Sequence, residues 1–85
     1  MIQKHLSHPE VLARLKRAEG HLKSIIAMIE DDRSCMDVAQ QLHAVEKAIA
    51  TAKREHIHDH IEHCLEDGMD SKAGVSELKV LTKYL

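Results

Sequence analysis

The 85-residue chain has no phenylalanine and no tryptophan, one tyrosine, one proline and three glycines. Without large rings its interior has to be thin aliphatic packing of Leu, Ile, Val, Ala and Met between helices. A chain this short also buries only about 60–65% of the surface it exposes when unfolded. Chains of that kind commonly complete their core in an oligomer. No long apolar run is present, so nothing in the sequence anchors it to a membrane. Two cysteines without a secretory signal lead to the expectation of a soluble, cytoplasmic, single-domain protein with reduced thiols. Internal repeats, low-complexity tracts, Gly-rich phosphate loops and nucleophile triads are all missing, and an enzyme is not expected. The balance of 12 Lys and Arg against 14 Asp and Glu gives a formal charge of -2, which argues against an ordinary basic nucleic-acid binder. Distribution can override that total. Lys4, Arg14, Lys16, Arg17, Lys23 and Arg33 lie in the first half, whereas Glu55, Asp59, Glu62, Glu66, Asp67 and Asp70 crowd the segment after residue 54.

What the chain does have is helix pattern. Ser7, His8, Pro9 and Glu10 read as a capping box with proline tolerated in the first turn. Leu15, Ala18, Leu22, Ile25 and Ile29 then recur at three- and four-residue steps, which predicts a helix over about 8–31 with those residues on its buried face. Gly20 within it is a weak point or a place of close packing. Ser34 and Asp37 offer a second cap. Cys35, Val38, Leu42, Val45, Ile49 and Ala52, followed by Ile57, Ile61 and Cys64, predict one long helix over 35–66 that stops at Gly68. Such a helix spans roughly 45–50 Å, and only partner helices could cover it. A short third helix is expected over 75–85 after the loop GMDSKAG.

The stretch HIHDHIEHCLED, residues 56–67, places four histidines and a cysteine in nine positions. His60 and Cys64 are four apart on the expected helix and can reach one ion, as can the pairs His56 with His60 and Asp59 with His63. Cys35, the other thiol, lies about 44 Å from Cys64 along a straight helix, so one chain cannot unite them. Two long helices packed antiparallel would. Setting Cys35 against His60 and Cys64 puts the crossing near residues 48–49, in the small-residue run AIATA. The pattern is compatible with a symmetric dimer carrying two intersubunit sites, each of Cys35 from one chain with His60 and Cys64 from the other.

RLKRAEGHL in the first helix, SCMDVAQQLHAVEKAI opening the second and DHIEHC at its far end resemble, in order and spacing over nearly the whole chain, the CsoR/RcnR family of bacterial metal-sensing transcriptional repressors. The resemblance implies an all-α, three-helix protomer, an antiparallel four-helix-bundle dimer and a homotetramer built as a dimer of dimers. It implies a repressor that binds operator DNA in the apo form and releases it when the inducer binds. Carried over position by position, the metal ligands fall on Cys35, His60 and Cys64. The DNA contacts fall on Arg14, Lys16 and Arg17, and then on Lys47, Lys53 and Arg54. Two thiolates and an imidazole suit Cu(I). Nickel sensors of the family add a nitrogen from the N-terminal segment, which here offers His5 and His8, with Gln3 at the position of the extra histidine found in some of them. Ser34 stands where the copper sensors have tyrosine, and Glu77 is the match for a helix-3 glutamate behind the metal ligands. The histidine-rich ending tilts the expectation slightly to Ni(II) or Co(II) over Cu(I). Formaldehyde or persulfide sensing within the same family, or a metal-binding bundle without a DNA role, are the alternatives. Ile2 counts against the first of these, and His60 against the second.

Overall fold

The computed structural model describes residues 8–66 and 72–85, the side chains of 64–66 and 72–73 excepted. The chain forms α1 (His8–Glu30), α2 (Cys35–Glu66) and α3 (Lys72–Leu81), with a final 3₁₀ turn over Thr82–Tyr84. No strand occurs among the described residues. The expected cap at Ser7 and the expected stop at Gly68 lie outside the described residues.

The turn between α1 and α2 is made by local hydrogen bonds. Arg33 N–H donates to the carbonyl of Met28 at 2.9 Å and Asp32 N–H to that of Ile29 at 3.1 Å, with Asp32 in the left-handed region at φ 56°. This is the paired closure that terminates a helix on a left-handed residue, a position where glycine is usual. Two residues on, Asp37 N–H donates to Ser34 Oγ at 3.1 Å, so Ser34 caps the start of α2. α3 departs from expectation at both ends. It begins at Lys72, three residues early, and takes in Gly74, which the turn-like composition had assigned to a loop. Its α-helical part ends at Leu81, where Thr82 Oγ1 donates to the Lys79 carbonyl at 2.6 Å and the chain tightens into the 3₁₀ turn.

α1 and α2 pack as an antiparallel hairpin. Val11, Ala18 and Ile25, seven residues apart on α1, are buried, as are Val45 and Ala52 of α2. Val38 packs against the cluster of Ala18, Ile25 and Val45. Arg14 Nε donates to Glu55 Oε2 at 3.1 Å, and His21 Nε2 meets Gln41 Oε1 at 2.6 Å, tying the helices on the flank of this seam.

The remaining apolar residues correct the sequence expectation. Leu15, Leu22 and Ile29 were placed on the buried face of α1, yet they are 44%, 39% and 57% exposed. On α2 Leu42 and Ile49 are 46% and 41% exposed, and Cys35 is exposed too. The physical reason is that each helix carries an apolar stripe wider than a single neighbour can cover. The molecule measures 55 × 23 × 13 Å, so it is one helix thick and has no second layer to meet the rest of the stripe. Gly20 is corrected as well, since a Cβ added there would meet nothing within 4 Å. In the AIATA run, Ala52 is spent inside the protomer against α1.

Candidate metal centre and nucleic-acid interface

α2 runs without a break from Cys35 to Glu66, which sets the relation between the thiol and the histidines. At 100° per residue the 25 steps from Cys35 to His60 bring the two within about 20° of each other around the helix, while 1.5 Å per step separates them by about 37 Å. Leu42 and Ile49 fall on the same line. A hollow lined by Cys35, Val38 and Leu42 of α2 together with Ile29 of α1 shows that this line adjoins the exposed apolar flank of α1. A second hollow, lined by Val11, Leu15, Ile49 and Ala52, continues the apolar surface toward the other end of the hairpin. Cys35 and His60 thus stand at opposite ends of one unpartnered apolar face. Within the protomer they do not meet, and among the described residues no group of three His, Cys, Asp or Glu side chains could hold a metal ion. Cys64 lies in α2 one turn beyond His60, with its side chain outside the described residues.

His60 is 21% exposed in its side chain, and its Nε2 lies 2.8 Å from Glu77 Oε1 of α3. Metal-binding histidines are commonly held this way, with one ring nitrogen on a carboxylate that fixes the tautomer and the ring orientation. The contact ties α3 back onto the far end of α2 and sets Glu77, the helix-3 carboxylate singled out by the resemblance, against His60. Of the N-terminal donors, His5 lies outside the described residues. His8 opens α1 and packs its ring on His56, with centroids 5.3 Å apart and planes at 21°. His56 was visible in sequence as a partner for His60, four residues on, but nothing in the pattern named His8 as its neighbour.

The six candidate DNA-contacting cations do not form one surface. Arg14 and Arg17 line a groove on the side of the hairpin away from the exposed leucines, together with Ala18, His21 and Ala48. Arg14 is held there by two carboxylates, Glu55 at 3.1 Å and Glu10 at 3.6 Å. Lys47 and Arg54, seven residues apart on α2 and exposed, are turned by about 100–120° from Ala48 and lie on the outer side of α2, beyond the groove. Arg54 Nη2 also donates to Thr51 Oγ1 at 3.3 Å. Lys16 is turned by about 200° from Arg14 on α1. Lys53 lines the apolar-side hollow with Leu15 and Ile49. His21 was not singled out from sequence. The signal was available, because it follows Arg14 by seven residues and so repeats its place on the helix.

The hairpin is therefore two-sided, with an apolar face bounded by Cys35 and His60 and a polar flank carrying arginines. No described helix is long and apolar enough to cross a membrane. The family model of the metal-sensitive transcriptional repressors matches residues 7–84. The copper-sensing transcriptional repressor CsoR of Mycobacterium ulcerans (strain Agy99) is 42% identical over 77 residues, which cover 86% of this chain and 65% of that protein. The protein of the same description from Bacillus subtilis (strain 168) is 36% identical over 72 residues, covering 81% of this chain and 71% of its own length. This chain thus spans a little under two thirds of the mycobacterial relative. Among solved structures, the nickel-responsive transcriptional regulator InrS superposes with a TM-score of 0.81 at 26% identity, covering 100% of both chains. The chain belongs to the metal-sensitive transcriptional repressor family, which is a family of regulators and not of enzymes.

Proposed function

We propose that the protein is a cytoplasmic, metal-responsive transcriptional repressor that binds operator DNA in its apo form and releases it when a transition metal ion binds between subunits. The ion is held by Cys35 of one protomer and by His60 and Cys64 of its partner. One observation carries the reading: α2 is unbroken and sets Cys35 and His60 on the same exposed apolar face at opposite ends of a slab one helix thick. A second copy laid antiparallel on that face supplies the missing layer, and in the same act brings each Cys35 to the partner's histidine end. The result is a four-helix dimer with two equivalent sites. Two such dimers joined through the apolar residues still exposed, such as Leu12 and Val80, make the tetramer.

Two thiolates and one imidazole by themselves suit Cu(I), the ion named for the mycobacterial and Bacillus relatives. Ni(II), the ion named for InrS, or Co(II) would draw a further nitrogen from His5 or His8. In either case Glu77, by holding Nε2 of His60, directs ligation to Nδ1. Arg14 and Arg17 carry the phosphate contacts, extended by Lys47 and Arg54 on the outer side of α2, and Lys16 and Lys53 lie outside that groove. Release on metal binding requires the free protein to hold the ion more tightly than the DNA complex does, typically by about 1–3 kcal/mol.

The test is complementation between dead variants under anaerobic conditions. Cys35→Ala and His60→Ala homodimers should each lose the tight thiolate-bearing metal site. After the two are unfolded and refolded together in equal amounts, half of the dimers pair one chain of each kind, and each of those has one intact site. Roughly a quarter of the wild-type sites should then return. A site built within one chain would recover nothing, and that outcome would sink the assignment. Titration of the wild type with Cu(I) and with Ni(II) assigns the inducer by which ion releases operator DNA at the lower free concentration.

A further inference from the structure

We propose that His21 is a further phosphate contact of the Arg14–Arg17 groove, that Gln41 holds it in place for that role, and that it makes the contact only when protonated. The inference rests on the repressor reading and adds a proton to it. His21 lines the groove with Arg14, Arg17, Ala18 and Ala48, one turn of α1 after Arg17 and two turns after Arg14. Half-buried, it reaches across to Gln41 of α2, where its Nε2 lies 2.6 Å from Oε1. An amide oxygen only accepts, so Nε2 carries the hydrogen. The neutral ring then has its lone pair on Nδ1. A phosphate oxygen is an acceptor too, and it gains a hydrogen bond from Nδ1 only once that nitrogen has taken up a proton. The backbones beneath the pair are fixed by packing, since Ala18 and Val45, one turn from His21 and from Gln41, are only 5% and 4% exposed.

The charges around the ring have the sign this role needs. From α1 it is flanked by Arg14 and Arg17, and from α2 the groove offers Gln41 and Ala48, both uncharged. The carboxylates nearest on that flank are engaged elsewhere, Glu10 and Glu55 by Arg14 and Asp37, one turn before Gln41, by Arg33 at 3.9 Å. α3 meets the other end of α2, at His60. An imidazolium beside two guanidiniums is therefore compensated when a phosphate lies among the three, and DNA and proton bind together. Histidine is the side chain whose charge ordinarily changes between about pH 5 and 8. The complex holds more protons than the free protein, so acid favours the complex. Affinity for DNA should rise by up to about tenfold per pH unit for each His21 that meets a phosphate.

The experiment is fluorescence anisotropy of the reduced, metal-free full-length protein, with chelator present, on a labelled DNA duplex of random sequence at low salt, because phosphate contacts need no particular sequence. Affinity is followed from about pH 8 down to about pH 6, where the wild type should bind more tightly. His21→Gln should match the wild type near pH 8 and lose most of the gain on acidification. His21→Lys carries its charge throughout, so near pH 8 it should bind as tightly as the wild type does near pH 6. Gln41→Met should reduce the gain, and His43→Gln, turned by about 200° from Gln41 on α2, should keep it. Circular dichroism checks that the helices of each variant persist. A His21→Gln protein that keeps the wild-type pH dependence would overturn the proposal, as would a His21→Lys protein that gains nothing near pH 8. A wild type that binds with a flat pH profile would overturn it as well and leave the repressor reading standing. A wild type that binds the duplex at no pH would overturn the repressor reading, and the proposal with it.

Discussion

Glu55→Gln should tighten DNA binding in a way that salt reveals. Arg14 is the cation of the groove most committed to protein partners, with Glu55 Oε2 at 3.1 Å and Glu10 Oε1 at 3.6 Å. Side chains 33% and 30% exposed are screened by water, so the net worth of the Arg14–Glu55 pair to stability is under about 1 kcal/mol. The variant should remain folded. Its effect on DNA should be larger than its effect on folding, because the change frees a guanidinium for a phosphate and removes a carboxylate from the approaching backbone. One additional neutralised phosphate steepens the dependence of log K on log salt by about 0.9, which amounts to roughly an eightfold larger gain over a tenfold fall in salt. Fluorescence anisotropy of apo-protein on operator duplex at several salt concentrations measures that slope. Lys16→Ala, on the far side of α1, should leave the slope unchanged. If Glu55→Gln binds more weakly with an unchanged slope, Arg14 serves to hold α1 against α2 and the assignment of the groove to phosphate is wrong.

Three further outcomes follow from the geometry. Asp32→Gly should stabilise the protein by about 0.5–1 kcal/mol in urea denaturation, because it relieves a left-handed residue at φ 56° that closes α1, and a loss of stability would contradict that reading. Leu22→Glu, in the middle of the exposed face of α1, should convert the proposed oligomer to monomer in sedimentation velocity and abolish the expected thiolate metal band while Cys35, His60 and Cys64 are all retained. An oligomer that survives with its band would show that this face is not the interface. Glu77→Gln should lower affinity for the inducing metal by about 10-fold without moving the thiolate absorption, as expected for a carboxylate that orients a ligand but does not touch the ion.

Helix positions were largely legible because they rest on local chemistry. The three-four recurrence of apolar residues, the Ser34 cap and the absence of any breaker between Cys35 and Glu66 are decided within a turn or two of each residue. The tight closure at Asp32 was harder to see, since aspartate at a position favouring glycine carries little sequence signal. The same locality hid the third helix's early start, because Gly74 marks a loop by composition and the tertiary context overrides it. The division of the apolar stripe was not legible at all. Ala18 and Leu22 belong to one periodic set, yet one is 5% and the other 39% exposed. Periodicity reports that a face is apolar and does not report whether the same chain or another copy covers it.

The proposed function rests on that division. A helix as long as α2 places Cys35 and His60 nearly in line, but at a separation no single site can span, so the proposed ligand set has chemical meaning only if the exposed part of the stripe belongs to a partner. The polar flank follows a parallel logic. Arg14, Arg17 and His21 recur at steps of three and four, which makes them neighbours along α1, and Ala48 of α2 leaves room beside them for a groove. In the proposed repressor, metal held across the apolar face and phosphate held on the opposite flank share the same two helices. In that arrangement any change in how α2 of one protomer lies on its partner alters the placement of the arginines, and the proposed coupling needs no separate relay.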